Sequence, residues 1–279
     1  MVPTVITNLK EITWGAWALI ALYISLLSGV IVGLQYDYQT PYYSATSIDI
    51  LVPFGKFFRS LHFYSSQLFL FFSCFHLLAV YDKTDKYTGS DWARLAATLP
   101  VILFLLFTGY ILRGDSTGSS AGLIAESIMY TIPLIGPTLD NLLFSLTDGG
   151  LRKVYLHHVI TLDIVLLILL WRHLQLYRIR IRNYIPLTGM ILIFSMVVAA
   201  PLEPEQLGVT YISGPWFFLG LQEILRYMHP FIAGIVVPSL FLIAFFGVYP
   251  QHKRAHLFIW FLWGWLLIYA FFSTIAWLR

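Results

Sequence analysis

The chain has 279 residues, 58% of them hydrophobic and only 11% charged, with a mean hydropathy of +0.76. Soluble domains carry about a quarter of charged residues, so a water-soluble fold is excluded, and a formal net charge of +3 gives no reason to expect a nucleic-acid partner. The single cysteine, Cys74, rules out an internal disulfide and a CxxCH haem-attachment motif.

Charge-poor windows of the roughly 17 to 25 residues that a helix needs to cross a hydrocarbon core recur along the chain. They fall at about 12–36, 60–81, 95–112, 154–171, 183–202, 227–251 and 255–278, here spans A to G. Lipid offers no partner to an unpaired backbone group, and no alternating strands of barrel type are present. The expected fold is an all-α polytopic membrane bundle of about seven transmembrane helices.

Span A starts after Ile12, is longer than a signal-peptide core and lacks a small-residue cleavage site, so it reads as a retained span. It carries Gly15 and Gly29, fourteen residues apart. Span B carries His62 and His76, also fourteen apart, which places them within about 40° of one another and about 21 Å apart along a helix. Arg59 precedes His62 by one turn, where a cation could meet a haem propionate or anchor the span at the interface. Cys74, in the same span, reads as a small buried apolar residue. Span C offers Gly109 near its outer end. The C–D connection holds an apolar stretch, Ser127 to Leu139, broken by Pro133, Gly136 and Pro137 and too short to span.

Span D holds His158 and His173, fifteen apart, with an offset of about 60° and about 22 Å of rise on a regular helix. His157 is sixteen from His173, about 160° around, so His158 is preferred. Asp163, five residues on, belongs to a type that costs about 2.5 to 3.5 kcal/mol inside a span and so faces an interior or water. The E–F connection runs from Pro201 to Arg226, with Trp216 to Leu225 as a short surface helix. With a cytoplasmic N-terminus, ten of the seventeen basic residues lie inside, the run Arg178, Arg180, Arg182 and the pair Lys253, Arg254 among them. The C-terminus is then outside.

A lone histidine in a span reads equally well as a hydrogen-bonded polar residue. Four at matched depths on two spans read as two pairs, His62 with His158 toward the outer face and His76 with His173 toward the inner. Each level offers two imidazoles and no further ligand, which suits iron in a porphyrin plane better than a bare zinc ion. Gly15, Gly29 and Gly109 would let large flat rings approach the backbone, or would serve ordinary helix packing.

Nearly the whole chain resembles the cytochrome b family of quinol–cytochrome c oxidoreductases, the bc1 and b6f group. Arg59-Ser60-Leu61-His62 with His76 resembles the family's RxxH and second ligand, and His158 to His173 with Arg178 five residues later is most similar to the b6 form. Gly15 with Gly29 matches the glycine pair of span A. Gly109-Tyr110-Ile111-Leu112 begins like the GYxLPW turn, and Ile135-Gly136 followed by Leu139 like the second amphipathic helix between C and D. Gly214-Pro215-Trp216-Phe217-Phe218, then Ile224-Leu225-Arg226, resembles the PEWYF segment and its ILR.

The resemblance implies a dihaem b/b6-like part over 1–182, a four-helix dihaem core, and a subunit-IV-like part over 183–279. It implies two haem b and a quinol pocket near Tyr110, Ile135, Trp216, Phe218 and Glu223, with a second quinone near Arg178. It implies membrane lipid and iron–sulfur or cytochrome c subunits as partners, in a multisubunit and sometimes dimeric complex of an energy-conserving prokaryotic membrane. The sequence departs from the family where Pro215 replaces the PEWY glutamate, where Arg113-Gly114 end the GYxLPW turn, and where Leu95 replaces a glycine. Glu223 is the substitute acid, with Tyr110 beside it as the second catalytic candidate. Two alternatives compete: a dihaem anchor of a quinone-linked dehydrogenase or reductase without bifurcation, and a transporter built on Asp163. The transporter lacks a repeat or broken-helix pair.

Overall fold

The computed structural model describes residues 13–146, 151–176, 179–204 and 211–279. All regular elements among them are helical. In chain order they are α1 (Trp14–Gly33), α2 (Pro41–Leu51), α3 (Gly55–Val80), α4 (Gly89–Ala96), α5 (Thr98–Leu112), α6 (Ser116–Tyr130), α7 (Gly136–Leu143), α8 (Leu151–Leu156), α9 (Leu162–Gln175), α10 (Ile185–Val197), α11 (Leu219–Ile224), α12 (Val237–Gly247) and α13 (Ala255–Trp277).

Among the described residues five apolar helical stretches are long enough to cross a membrane: Trp14–Gly33, Gly55–Lys83, Gly89–Leu112, Leu151–Gln175 and Ala255–Trp277. They correspond to spans A, B, C, D and G. Spans E and F correspond to shorter apolar helices, Ile181–Val197 and Ile232–Gly247. Large apolar side chains point outward along these stretches, Trp260, Leu267 and Phe271 on α13 among them, as a lipid solvent allows.

Local chemistry explains where several elements begin. A Cβ on Gly55 would sit 1.9 Å from the Ile48 carbonyl oxygen, and Phe54 before it adopts a left-handed φ of 58°. That close turn from α2 starts span B earlier than charge patterning suggests. Asp115 caps α6 by accepting a hydrogen bond from the Gly118 backbone N–H at 2.9 Å. The connection expected to be an apolar loop from Ser127 is therefore largely helical, as α6 and α7. The segment expected as a surface helix from Trp216 is a 3-10 turn, Trp216–Phe218, followed by α11, whose Leu221, Glu223 and Ile224 are buried.

The chain forms two compact units, residues 1–36, 44–106 and 165–201 in one and 37–43, 107–164 and 202–279 in the other. These do not follow a division at residue 182. In the first unit α1 packs along α3, with Trp14 meeting Phe72 and Phe75 at ring separations of 6.0 and 4.9 Å, and α10 also packs on α3. Arg59 ties this unit together: its guanidinium donates to both carboxylate oxygens of Asp49 at 2.6 and 2.5 Å and to the Ala200 carbonyl at 2.9 Å. In the second unit α11 and α12 pack on α13, and Gly234 lies against Ile128 of α6. Glu203 accepts from the Thr117 hydroxyl at 2.5 Å, while its backbone N–H donates to Asp115 at 2.9 Å.

Candidate haem ligands and the apolar cavity

Span B is continuous helix through both of its histidines, so their spacing of fourteen keeps them at two levels of nearly one face. A Cβ on Gly15 would lie 2.8 Å from His76 Cε1, and one on Gly29 would lie 2.8 Å from His62 Cε1. A Cβ on Gly109 would lie 3.1 Å from His158 Cε1. At all three glycines the neighbouring atoms belong to an imidazole. Each candidate ligand but His173 thus rests on a glycine of a neighbouring helix.

Hydrogen bonds orient two of the rings. His62 Nδ1 lies 2.9 Å from the Ser25 carbonyl, which can only accept, so Nδ1 carries the proton. His158 Nδ1 lies 2.9 Å from the Thr108 hydroxyl. At the other level, the His76 and His173 ring centres are 6.0 Å apart.

Span D is not a uniform α-helix, for residues His157–Thr161 form a π turn. A π turn holds one residue more than an α turn, so the fifteen residues from His158 to His173 rotate as fourteen would, about 40° in total. The spacing on span D thereby becomes equivalent to that on span B. The same turn removes the angular objection to His157, whose offset falls to about 60°. A different observation takes its place: His157 Nε2 donates to the Leu142 carbonyl at 3.0 Å. His157→Ala is accordingly expected to leave haem content and both α-band components unchanged, checked on the purified chain by optical spectra. Loss of a band would move the ligand to His157.

Other expected site residues are distributed differently. Arg59 donates to Asp49 and to backbone carbonyls. Arg113, expected to place a charge on the pocket wall, is paired with Asp115 and lies over the Tyr110 ring at 4.8 Å. Tyr110 is buried and meets Phe217 edge-on at 5.5 Å. Ile135 and Trp216 are exposed. Cys74 is exposed rather than buried. Arg178 lies outside the described residues.

A cavity of about 50 Å³ in the second unit is lined by Phe107, Ala121, Ile124, Ala125, Ile128, Gly214, Pro215, Phe218, Leu221 and Gln222. Of the residues expected around a quinol, it contains Phe218. The α6 stripe of Ala121, Ile124, Ala125 and Ile128 was missed, although its i, i+3, i+4, i+7 spacing behind the Asp115 cap is a sequence signal of a helix with one apolar face. Among the described residues no carboxylate lines the cavity. Glu223 is fully buried beside it, accepting from Tyr227 at 2.9 Å and paired with Arg279 at 3.0 Å. Gln222 holds the preceding loop, accepting from the Gly214 N–H and donating to the Ile212 carbonyl, both at 2.7 Å.

Residues 2–181 match the family described as cytochrome b/b6/petB. The chain belongs to the cytochrome b family. It is 30% identical over 179 residues to cytochrome b6 of Heliomicrobium gestii, an alignment covering 60% of this chain and 81% of that protein. It is 27% identical over 163 residues to the menaquinol:cytochrome c reductase cytochrome b subunit of Geobacillus thermodenitrificans, covering 56% and 73% of the two chains. Its fold is similar to that of a chain of a hyperthermophilic respiratory Complex III, with a TM-score of 0.71 at 18% identity, covering 95% of this chain and 86% of the other.

This family implies haem b, and the residues present fit it. Two metal–imidazole bonds of about 2.0 to 2.1 Å, with ~1.1 Å from each nitrogen to its ring centre, separate two axial rings by about 6 Å. The His76–His173 separation of 6.0 Å agrees. Among the described residues no group of three His, Cys, Asp or Glu could hold a bare metal ion.

Proposed function

We propose that this cytochrome b is the dihaem subunit of a membrane quinol-oxidising respiratory complex, moving electrons across the membrane between an outer quinol site and an inner quinone site. The observation that carries the proposal is the His76–His173 pair, 6.0 Å between ring centres, with Gly15 backing His76. His76 and His173 are the ligands of the inner haem, and His62 and His158 those of the outer. Bound there, the two haems supply one-electron carriers at two depths. Gly15, Gly29 and Gly109 keep the imidazoles seated, and Arg59 fixes the start of span B one turn before His62. Support for the quinol reaction comes from the relatives named menaquinol:cytochrome c reductase and Complex III.

Quinol enters at the apolar cavity beside Pro215 and Phe218, whose walls part to admit a ring, since about 50 Å³ is small against the ~300 to 1,000 Å³ of ordinary ligand sites. Tyr110, Ile135 and Trp216 flank the entry. Glu223, adjacent in sequence to the lining residue Gln222, accepts the proton and shares it with Tyr227, which is exposed. Glu223→Gln is expected to slow quinol oxidation several-fold with haem content intact. An unchanged rate assigns Glu223 a packing role with Arg279. Arg178 serves the inner quinone. The N-terminus is cytoplasmic and the C-terminus outside.

One electron of each quinol goes to an iron–sulfur or cytochrome c subunit of the same complex, and the other to the haems. Pro215, standing where the family has its PEWY glutamate, favours one competing reading, a dihaem anchor without bifurcation. Purification of the native complex separates the two: the proposal expects two haem b per chain and a high-potential one-electron acceptor subunit, and a complex with no such subunit overturns it.

A further inference from the structure

Two consecutive residues of α5 address one imidazole. Thr108 places its hydroxyl 2.9 Å from His158 Nδ1, and the missing side chain of Gly109 leaves room for the same ring, where a Cβ would stand 3.1 Å from Cε1. Thr108 is 3% exposed, so its hydroxyl acts with little competition from solvent. Thr108 reaches sideways to a histidine of another helix.

We infer that Thr108 is a positioning residue for His158, holding its ring by Nδ1 so that Nε2 is presented to iron, and thereby setting the potential of the outer haem. The inference rests on the reading of His158 as an axial ligand. When Nε2 is coordinated, Nδ1 keeps the proton and donates it, and the threonine oxygen accepts. A hydrogen bond of this kind fixes the tautomer and the ring plane and makes the imidazole a stronger electron donor. Stronger donation favours the ferric state, which lowers the potential. His62 receives the same service from the Ser25 backbone carbonyl at 2.9 Å, which no side-chain substitution removes. On the His158 side the acceptor is a side chain, so that ligand can be tuned by a single change.

The test compares Thr108→Val, Thr108→Ala and Thr108→Ser in the full chain within its native complex, by haem quantitation and redox titration of the optical bands. His158→Ala identifies which band belongs to this ligand. Valine and alanine are expected to raise the midpoint potential of that one haem and leave the other unmoved, and serine to restore the native value. Should valine expel the haem through its shape, the alanine and serine variants decide, with alanine shifted and serine native. Equal potentials in alanine, serine and native proteins overturn the inference, as does a shift that serine fails to restore. If His158→Ala retains both haems, the ligand assignment itself has failed, a result distinguishable from any outcome at Thr108.

Discussion

His173→Leu is expected to reduce the haem b content from two per chain to one, with the remaining haem spectrally unchanged. His173 and His76 stand on opposite sides of a gap of 6.0 Å between ring centres. Leucine has similar bulk and no nitrogen, so the substitution removes one coordinate bond without opening a large void. Pyridine haemochrome analysis of the purified variant, with protein quantified independently, reads the stoichiometry directly. His76→Leu should give the same loss, because either ligand alone leaves the iron with one axial imidazole. Retention of two haems in both variants would remove the inner pair from the assignment and with it the basis for transmembrane electron flow.

The second large effect is expected at the glycines. Gly15→Val should abolish the haem held by His76, and Gly15→Ala should lower its occupancy. A Cβ at that position would come within 2.8 Å of His76 Cε1 and 3.0 Å of Nδ1, closer than real contacts permit. Replacing glycine by alanine in a helix ordinarily gains about 0.5 to 1 kcal/mol of backbone preference. Overpacking costs about 1 to 3 kcal/mol, so the clash wins unless the ring moves aside. A ring held by iron cannot move far without stretching a bond of about 2 Å. Gly29→Val should act in the same way on His62, where the distance to Cε1 is also 2.8 Å. Gly264→Ala provides the comparison, since nothing lies within 4 Å of that position. It is expected to leave haem content and thermal stability near native. Equal haem content in all of these variants would show that the glycines serve helix packing alone.

Much of the fold was legible because a hydrocarbon solvent leaves few solutions to a sequence. Five of the expected spans are long helices, and the shorter pair corresponds to the expected spans E and F. Shorter elements were harder to read. The α6 helix was not read from the sequence because Pro133, Gly136 and Pro137 dominated the C–D connection, although its cap Asp115 and apolar stripe were present in the sequence. The partner of Arg59 was not read from the sequence because Asp49 lies on a separate helix, α2. Glu223 was picked out as a pocket acid by its distance to Trp216. Its burial against Tyr227 and Arg279 depends on the packing of α11 on α13, which no local pattern reveals.

The sequence by itself determined the membrane class and the spacing of the four histidines. Both follow from local regularities, the length of charge-poor runs and the rotation of about 100° per residue that a helix imposes. Tertiary structure decided what those residues meet. It seats His76 on Gly15 and His62 on Gly29, binds His158 to Thr108, and lines the cavity with Phe107 of α5 together with Pro215 and Gln222. Each is a contact between elements far apart in the chain, set by how helices pack. Even the fifteen-residue spacing on span D became interpretable only once the π turn at His157–Thr161 showed that one of its residues adds length to the turn without adding rotation to the register.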